Sequence, residues 1–145
     1  RFYRDFELLN TRNATWRNRM STDEAARLLI ADDDPNLLAA YVLFFSAHGF
    51  DVRTARNGLD ALAQYCAWHP HAALLDVEMP RLDGRAVARR IRCAADTPAP
   101  MLVAVTGLAC DEDKNESLRS GFNHHFVKPV PMPVILAVLT GGAWH

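Results

Sequence analysis

The sequence is short of lysine and cysteine and has no long apolar run. Two of its 145 residues are lysine, Lys114 and Lys128, against 14 arginines. The three cysteines (Cys66, Cys93, Cys110) are odd in number and widely spaced. They form no metal-binding motif and read as reduced thiols, at least partly buried, in a cytosolic protein. No apolar run approaches the length needed to span a bilayer. Nor is there the charged start, apolar stretch and small-residue cleavage site of a signal peptide. A cytoplasmic chain with no membrane partner is expected. The net charge of -1 gives no general attraction to nucleic acid. Half of the residues are apolar and 23% are charged, ordinary values for one globular domain with one core.

Charge is unevenly placed. Residues 1–20 carry five arginines against Asp5 and Glu7, whereas the remainder is net acidic. The first 20 residues mix Arg and Asn with Phe2, Tyr3, Phe6 and Trp16, and at most a loose helix is expected there. Met20-Ser21-Thr22-Asp23-Glu24 reads like a fresh start. Either Met20 is the native first residue or residues 1–19 are the tail of an upstream element, so residues 1–20 are set apart from a domain over 21–145.

From Arg27 a rhythm begins. Short apolar runs (Leu28–Ala31, Val52 with Thr54 and Ala55, Ala72–Leu75, Met101–Val105, His125–Val127) alternate with helical patterns. Runs without polar alternation suit strands buried on both faces of a parallel sheet. Between them, Asp34-Pro35 offers an N-cap and a proline in the first turn, followed by Leu38, Tyr41, Val42 and Phe45 at helical spacing up to Gly49. The spacing predicts further helices over 57–68, with Leu59, Leu62 and Cys66 on one face, and over 84–93, with Val87, Ala88 and Ile91 together. Two more are predicted over 111–120, polar and acidic in its first turn, and over 133–140. Five strands alternating with five helices indicate an α/β fold, a parallel sheet with helices on both faces.

The informative polar residues share one address. Asp32 and Asp33 directly follow the first strand, Asp76 the third and Lys128 the fifth, while Thr106 ends the fourth. Ligands in open α/β sheets bind at that carboxyl edge. Three clustered carboxylates repel one another unless a cation lies among them. Magnesium suits such a set, because it takes oxygen ligands and retains water. Lys128 is a compact ammonium in a chain that otherwise prefers arginine, which fits a point-charge role.

At these residues the chain resembles the response-regulator receiver family, which includes the single-domain chemotaxis regulator. The matching stretches are Leu29-Ile30-Ala31-Asp32-Asp33-Asp34-Pro35, Ala73-Leu74-Leu75-Asp76-Val77-Glu78-Met79-Pro80 with Asp83-Gly84, Ala104-Val105-Thr106-Gly107, and Phe126-Val127-Lys128-Pro129. They stand in the family's order and spacing. The resemblance implies a flavodoxin-like sheet of order 2-1-3-4-5. It makes Asp76 the nucleophile that forms an aspartyl phosphate. Mg2+ would be held by Asp33 directly, by Asp32 largely through water, by Asp76, and by the backbone carbonyl of Glu78. Thr106 would hydrogen-bond the phosphoryl group, Lys128 would pair with it, and the Lys128-Pro129 bond would be cis. Glu78 and Leu108, flanking the site, would influence phosphoryl lifetime. The implied partner is a histidine kinase or histidine phosphotransfer protein. The stretch from Gly121 to Pro129 looks most like receivers of hybrid histidine kinases or stand-alone relay receivers. His125 occupies the position where many members place Tyr or Phe as a switch paired with Thr106. That puts the usual aromatic switch in doubt without touching phosphorylation.

Blander readings stand beside these. Asp34 is the helix N-cap, and Met79-Pro80 and Asp83-Gly84 are turn chemistry that shapes the loop after Asp76. The histidines show no ligand spacing, and His124-His125 read as ordinary edge residues. The last helix is apolar almost all round (Val134, Ile135, Leu136, Val138, Leu139). It is either well buried or part of a dimer surface with the fourth helix and fifth strand. Two other functions compete. A haloacid-dehalogenase-type phosphohydrolase finds a partial motif in Asp32-Asp33-Asp34-Pro35-Asn36 but leaves Asp76 without a role. A pseudo-receiver would lack phosphorylation altogether, against the intact acids, Thr106 and Lys128. Little chain follows Thr140, so no direct nucleic acid binding is expected.

Overall fold

The computed structural model describes residues 24–94 and 99–141. The expectations for residues 1–20 therefore lie outside the described residues. Five strands alternate with five helices: β1 (Ala26–Ala31), α1 (Pro35–Ala47), β2 (Phe50–Ala55), α2 (Gly58–Trp68), β3 (Ala72–Asp76), α3 (Gly84–Cys93), β4 (Met101–Thr106), α4 (Asp111–Arg119), β5 (His124–Val127) and α5 (Met132–Leu139). The strands form one parallel sheet of order β2-β1-β3-β4-β5. The strand order reverses beside β1, between β1 and β3, where such sheets bind ligands.

Alternation along each strand feeds two cores. Leu28, Ile30, Leu74, Val103 and Val105 face α1 and α5 and pack with Tyr41, Phe45, Phe50, Ile135 and Leu139. Leu29, Ala31, Leu75, Leu102 and Ala104 face α2 and α3 and pack with Ala61, Tyr65, Val87, Ala88 and Ile91. The three central strands are buried on both faces, and for this reason they read as unbroken apolar runs. Helix starts follow local chemistry. Asp34 accepts from the N–H groups of Asn36 and Leu37, Asn57 from Asp60, and Asp83 from Ala86.

Three expectations are corrected. In α2 the residues turned to the core are Ala61 and Tyr65, whereas Leu59 and Cys66 are exposed and Leu62 is half-buried. Close packing sets this face: a Cβ on Gly58 would stand 1.7 Å from the Leu82 carbonyl oxygen, so the start of α2 lies directly on the loop after β3. All three cysteines are free and exposed, not partly buried, because each sits on the outer side of its helix or at a helix start. Asp76 is the last residue of β3, opposite Val105, and not the first residue after it. In α5, Ile135, Ala137 and Leu139 are buried, while Val134, Leu136 and Val138 are half-buried.

The amino edge of the sheet is tied by polar clasps. Arg92 donates to the carbonyls of Gly121 and Pro100 and to Asn123 Oδ1, at 2.9, 2.7 and 2.8 Å. The same Asn123 oxygen accepts from the Leu102 N–H. Across the sheet, the Arg27 N–H donates to His71 Nδ1 at 2.9 Å and the Arg27 guanidinium to the His69 carbonyl at 2.8 Å. The half-buried His71 imidazole accepts a backbone N–H and is therefore unprotonated at that nitrogen. Burial and the Arg27 charge both hold the His71 pKa below its ordinary value.

Candidate functional site

The carboxyl edge brings Asp32, Asp33, Asp76 and Lys128 together. The carboxylate oxygens of Asp32, Asp33 and Asp76 lie within 4.8 Å of one another. Lys128 Nζ bridges two of them, 2.7 Å from Asp32 Oδ2 and 3.0 Å from Asp76 Oδ2. Each carboxylate is also fixed by the chain that follows it. Asp32 Oδ1 accepts from the Asp34 N–H at 2.9 Å, and Asp76 Oδ1 from the Glu78 N–H at 3.0 Å. Asp32 and Asp76 are almost fully buried, at 3% and 6% exposure, while Asp33 is exposed at the rim.

The electrostatics follow from this enclosure. Burial pushes the Asp76 carboxyl above its usual range, and the hydrogen bonds from Lys128 and Glu78 oppose that rise. Burial works against the charge on Lys128, but Asp32 and Asp76 outweigh it and raise its pKa from 10.5 to about 12. The ammonium is therefore permanently charged near neutral pH. It compensates two buried carboxylates, and such groups tolerate burial only when paired.

Thr106 is fully buried at the end of β4, and its hydroxyl oxygen accepts the Leu108 N–H at 3.2 Å. This leaves the hydroxyl proton available to a further acceptor. The Lys128 N–H donates to the Thr106 carbonyl at 2.8 Å, which fastens the ends of β4 and β5 together. The Lys128-Pro129 bond is cis. His125 Nε2 sits 3.3 Å from the Leu108 carbonyl oxygen, while its buried Nδ1 has no hydrogen-bond partner among the described residues. Burial holds the His125 pKa low, and Arg85 and Lys114 add to that effect. His125 is thus a neutral imidazole anchored on the loop that follows Thr106.

The loop after Asp76 is shaped by close backbone approach. The Gly84 N–H donates to the Val77 carbonyl at 2.9 Å, and a Cβ on Gly84 would stand 2.3 Å from the Asp76 carbonyl oxygen. Arg81, at φ 71, takes the left-handed conformation in this loop. The exposed Glu78 side chain leans towards Gly107, whose hypothetical Cβ would lie 3.7 Å from Glu78 Oε1.

Sequence reasoning assigned Tyr41 to the core and nothing more. It is buried, but burial raises its phenol to about 12, with Lys128 opposing and Asp32 and Asp76 adding to the rise. Its ring therefore lies in the field of the site. Helical spacing alone cannot report that.

The donor set suits a magnesium ion. It offers oxygen ligands only, one carboxylate is open to solvent, and two are held in place by backbone N–H groups. Asp32 already engages both oxygens, with Asp34 and Lys128, which leaves it less free than Asp33 to bind a cation directly.

The fold and this cluster define a receiver. Residues 28–140 match the response regulator receiver domain family, and the chain belongs to that family. It is similar to the protein PilH of Pseudomonas aeruginosa, 33% identical over 120 residues, covering 80% of this chain and 99% of PilH. It is also similar to the transcriptional regulatory protein PrrA of Mycobacterium leprae, 34% identical over 111 residues and 77% of this chain. The chain spans 47% of PrrA, about half the length of that relative. Among solved structures it resembles the co-crystal structure of the Saccharomyces cerevisiae histidine phosphotransfer protein Ypd1 with the receiver domain of the response regulator Ssk1. The TM-score is 0.73 at 25% identity, covering 80% of this chain and 87% of the matched one.

Proposed function

We propose that the domain, assigned to residues 21–145, is a phosphoryl acceptor in a two-component phosphorelay. Asp76 would take the group from a histidine kinase or a histidine phosphotransfer protein. The observation that carries this reading is the Lys128 ammonium bridging Asp32 and Asp76, three side chains delivered from three strand ends. The Ssk1 receiver, seen with Ypd1, supports a phosphotransfer partner.

In the transfer, an Asp76 carboxylate oxygen attacks phosphorus in line while the P–N bond of the donor phosphohistidine breaks. The bonding pair returns to the imidazole, and an acyl phosphate remains on Asp76. Lys128, freed from Asp76 Oδ2, pairs with a phosphoryl oxygen and keeps its contact with Asp32. Thr106 donates its hydroxyl proton to another phosphoryl oxygen. Asp32, Asp33, Asp76 and the Glu78 backbone carbonyl would hold Mg2+, which when bound neutralises the charge gathered there. As Thr106 turns, the Leu108 N–H loses its acceptor, and the adjoining His125–Leu108 contact is poised to report the change. Thr106 and His125 thus form the switch, with a neutral imidazole in place of a Tyr or Phe ring. Glu78 and Leu108 border the path of a hydrolytic water and set phosphoryl lifetime.

Catalysis is confined to the domain's own phosphorylation and dephosphorylation. Exposed Leu118 and Val127, on α4 and β5, support a dimer through α4, β5 and α5. Among the described residues no helix is long and apolar enough to cross a membrane. The reading places the chain in the cytoplasm, with no direct nucleic acid contact from this domain. The test is acetyl phosphate with magnesium, followed by intact-mass measurement. One acid-labile phosphoryl adduct is expected, absent in Asp76→Asn. An adduct that survives in Asp76→Asn, or no adduct in the wild type, would overturn the proposal. Turnover of a small phosphate ester surviving Asp76→Ala would revive the phosphohydrolase alternative.

A further inference from the structure

α4 is attached to the domain in an unusual way. Of its nine residues only Ser117 is buried, and its one large apolar residue, Leu118, is 41% exposed. Apolar packing therefore contributes little to holding it. What holds it instead is arginine from α3. Arg85 donates to the Asp113 backbone carbonyl at 2.9 Å and to the Ser117 hydroxyl at 3.3 Å, and it pairs with the Asp113 carboxylate at 3.6 Å. One turn along, Arg89 donates to the Ser120 hydroxyl at 3.2 Å. The Arg85 and Asp113 side chains are only 17% and 28% exposed, so solvent screens their contact incompletely. Asp113 stays ionised: the Cys110 thiol, bonded at 2.7 Å, holds its pKa low, and Arg85 adds to this.

This clamp adjoins the site. α4 begins at its N-cap Cys110, just beyond the loop whose Leu108 is tied to Thr106 on one side and His125 on the other. A helix that rests on β5 with almost no buried large apolar side chain, and is fastened by hydrogen bonds from α3, is a low-stability unit that can detach without unfolding the core.

We propose that Arg85 is a latch. Without a phosphoryl group on Asp76 it holds α4 against α3, and opening of that clamp is the step by which α4 responds to the site. The second half of this statement rests on the function proposed above; the first does not.

The experiment is hydrogen exchange of the whole chain, without phosphodonor, for the wild type and Arg85→Met, which keeps the aliphatic stem and removes the guanidinium. Exchange over residues 111–120 should rise about tenfold, as expected for loss of several polar contacts, while β1 and β3 amides stay unchanged. Ser117→Ala should loosen the same segment about threefold. It decides the matter if Arg85→Met unfolds the whole domain. Unchanged exchange in α4 in the folded variant would overturn the latch. Uptake of phosphoryl from acetyl phosphate is measured in parallel. A faster rate in Arg85→Met supports the coupling, because a state already populated needs no further opening. An unchanged rate with a loosened α4 refutes the coupling. Absence of any adduct in either protein, with α4 loosened, refutes the phosphorylation reading while the latch stands.

Discussion

Replacing Lys128 by Met tests the electrostatics of the site most directly. The side chain keeps its stem and loses the ammonium that bonds Asp32 at 2.7 Å and Asp76 at 3.0 Å. The lysine is 28% exposed, so its interactions are only partly screened. Its pKa is raised from 10.5 to about 12, so the stabilisation is complete below pH 10.5 and is lost as pH rises through about 12. That rise corresponds to about 2 kcal/mol at neutral pH. The loss in the variant is limited to that order because Asp76, already pushed upward by burial, can take up a proton. For a domain of this size about 2 kcal/mol lowers Tm by about 8 °C. Magnesium should then discriminate between the two proteins. With one positive charge removed, the three carboxylates bind the cation more tightly, and each tenfold gain in affinity adds about 1.4 kcal/mol of stabilisation at saturation. Thermal unfolding followed by circular dichroism near neutral pH, in EDTA and in excess magnesium, reads both effects. The reasoning fails if the variant melts with the wild type in EDTA, or if magnesium stabilises it no more than the wild type.

Other consequences can be measured separately. Gly84→Ala places a methyl group 2.3 Å from the Asp76 carbonyl oxygen. It should cost about 3 kcal/mol in urea unfolding and slow acetyl phosphate labelling, because the backbone of Asp76 has to shift. Thr106→Ala removes the acceptor of the Leu108 N–H, at a cost of about 1 kcal/mol. It should slow labelling of Asp76 and abolish the phosphorylation-dependent change in exchange at the Leu108 amide, whereas Thr106→Ser retains both. His71 has a depressed pKa in the folded state. Its contribution to stability is full above its ordinary value of about 6.5 and is lost as pH falls through the depressed value. Urea midpoints at neutral and mildly acidic pH should therefore converge in His71→Asn, whose amide oxygen can still accept the Arg27 N–H. Convergence should be partial, because burial also lowers His124 and His125.

Much of this molecule is legible in its sequence, for a physical reason. Parallel strands buried on both faces leave unbroken apolar runs such as Ala72–Leu75 and Met101–Val105. The polar residue that ends each run lands at one edge of the sheet. That placement brought Asp32, Asp33, Asp76, Thr106 and Lys128 to a common address before any distance was known. Legibility ended where hydrophobicity does not measure fit. In α2 the core takes Ala61 and Tyr65, because Gly58 sits hard on Leu82 and fixes the rotation of the helix, so the more apolar Leu59 is left outside. The grip of Arg85 on α4 was hidden for a related reason. A polar helix with acids in its first turn reads as a solvated surface element. Only contacts across about 30 residues of sequence show what fastens it.

The clasps at the amino edge have a consequence for how the domain tolerates change. Arg92 knits together the segments around Pro100, Gly121 and Asn123, while Arg27 binds β1 to the residues leading into β3. The partners that Arg92 and Arg27 bond there are backbone groups and neutral side chains. The opposite rim concentrates its charges in a few groups whose pairing a phosphoryl group would rearrange. The sheet thus has a foundation end and a working end, separated by the length of its strands. Substitutions at Arg27, His71, Arg92 or Asn123 should alter how much folded protein accumulates while leaving signal per folded molecule intact. Substitutions around Asp76 should lower phosphorylation per folded molecule, and those at Lys128, Gly84 and Thr106 should cost stability as well. A scan that scores abundance and phosphorylation side by side would divide the domain along that line.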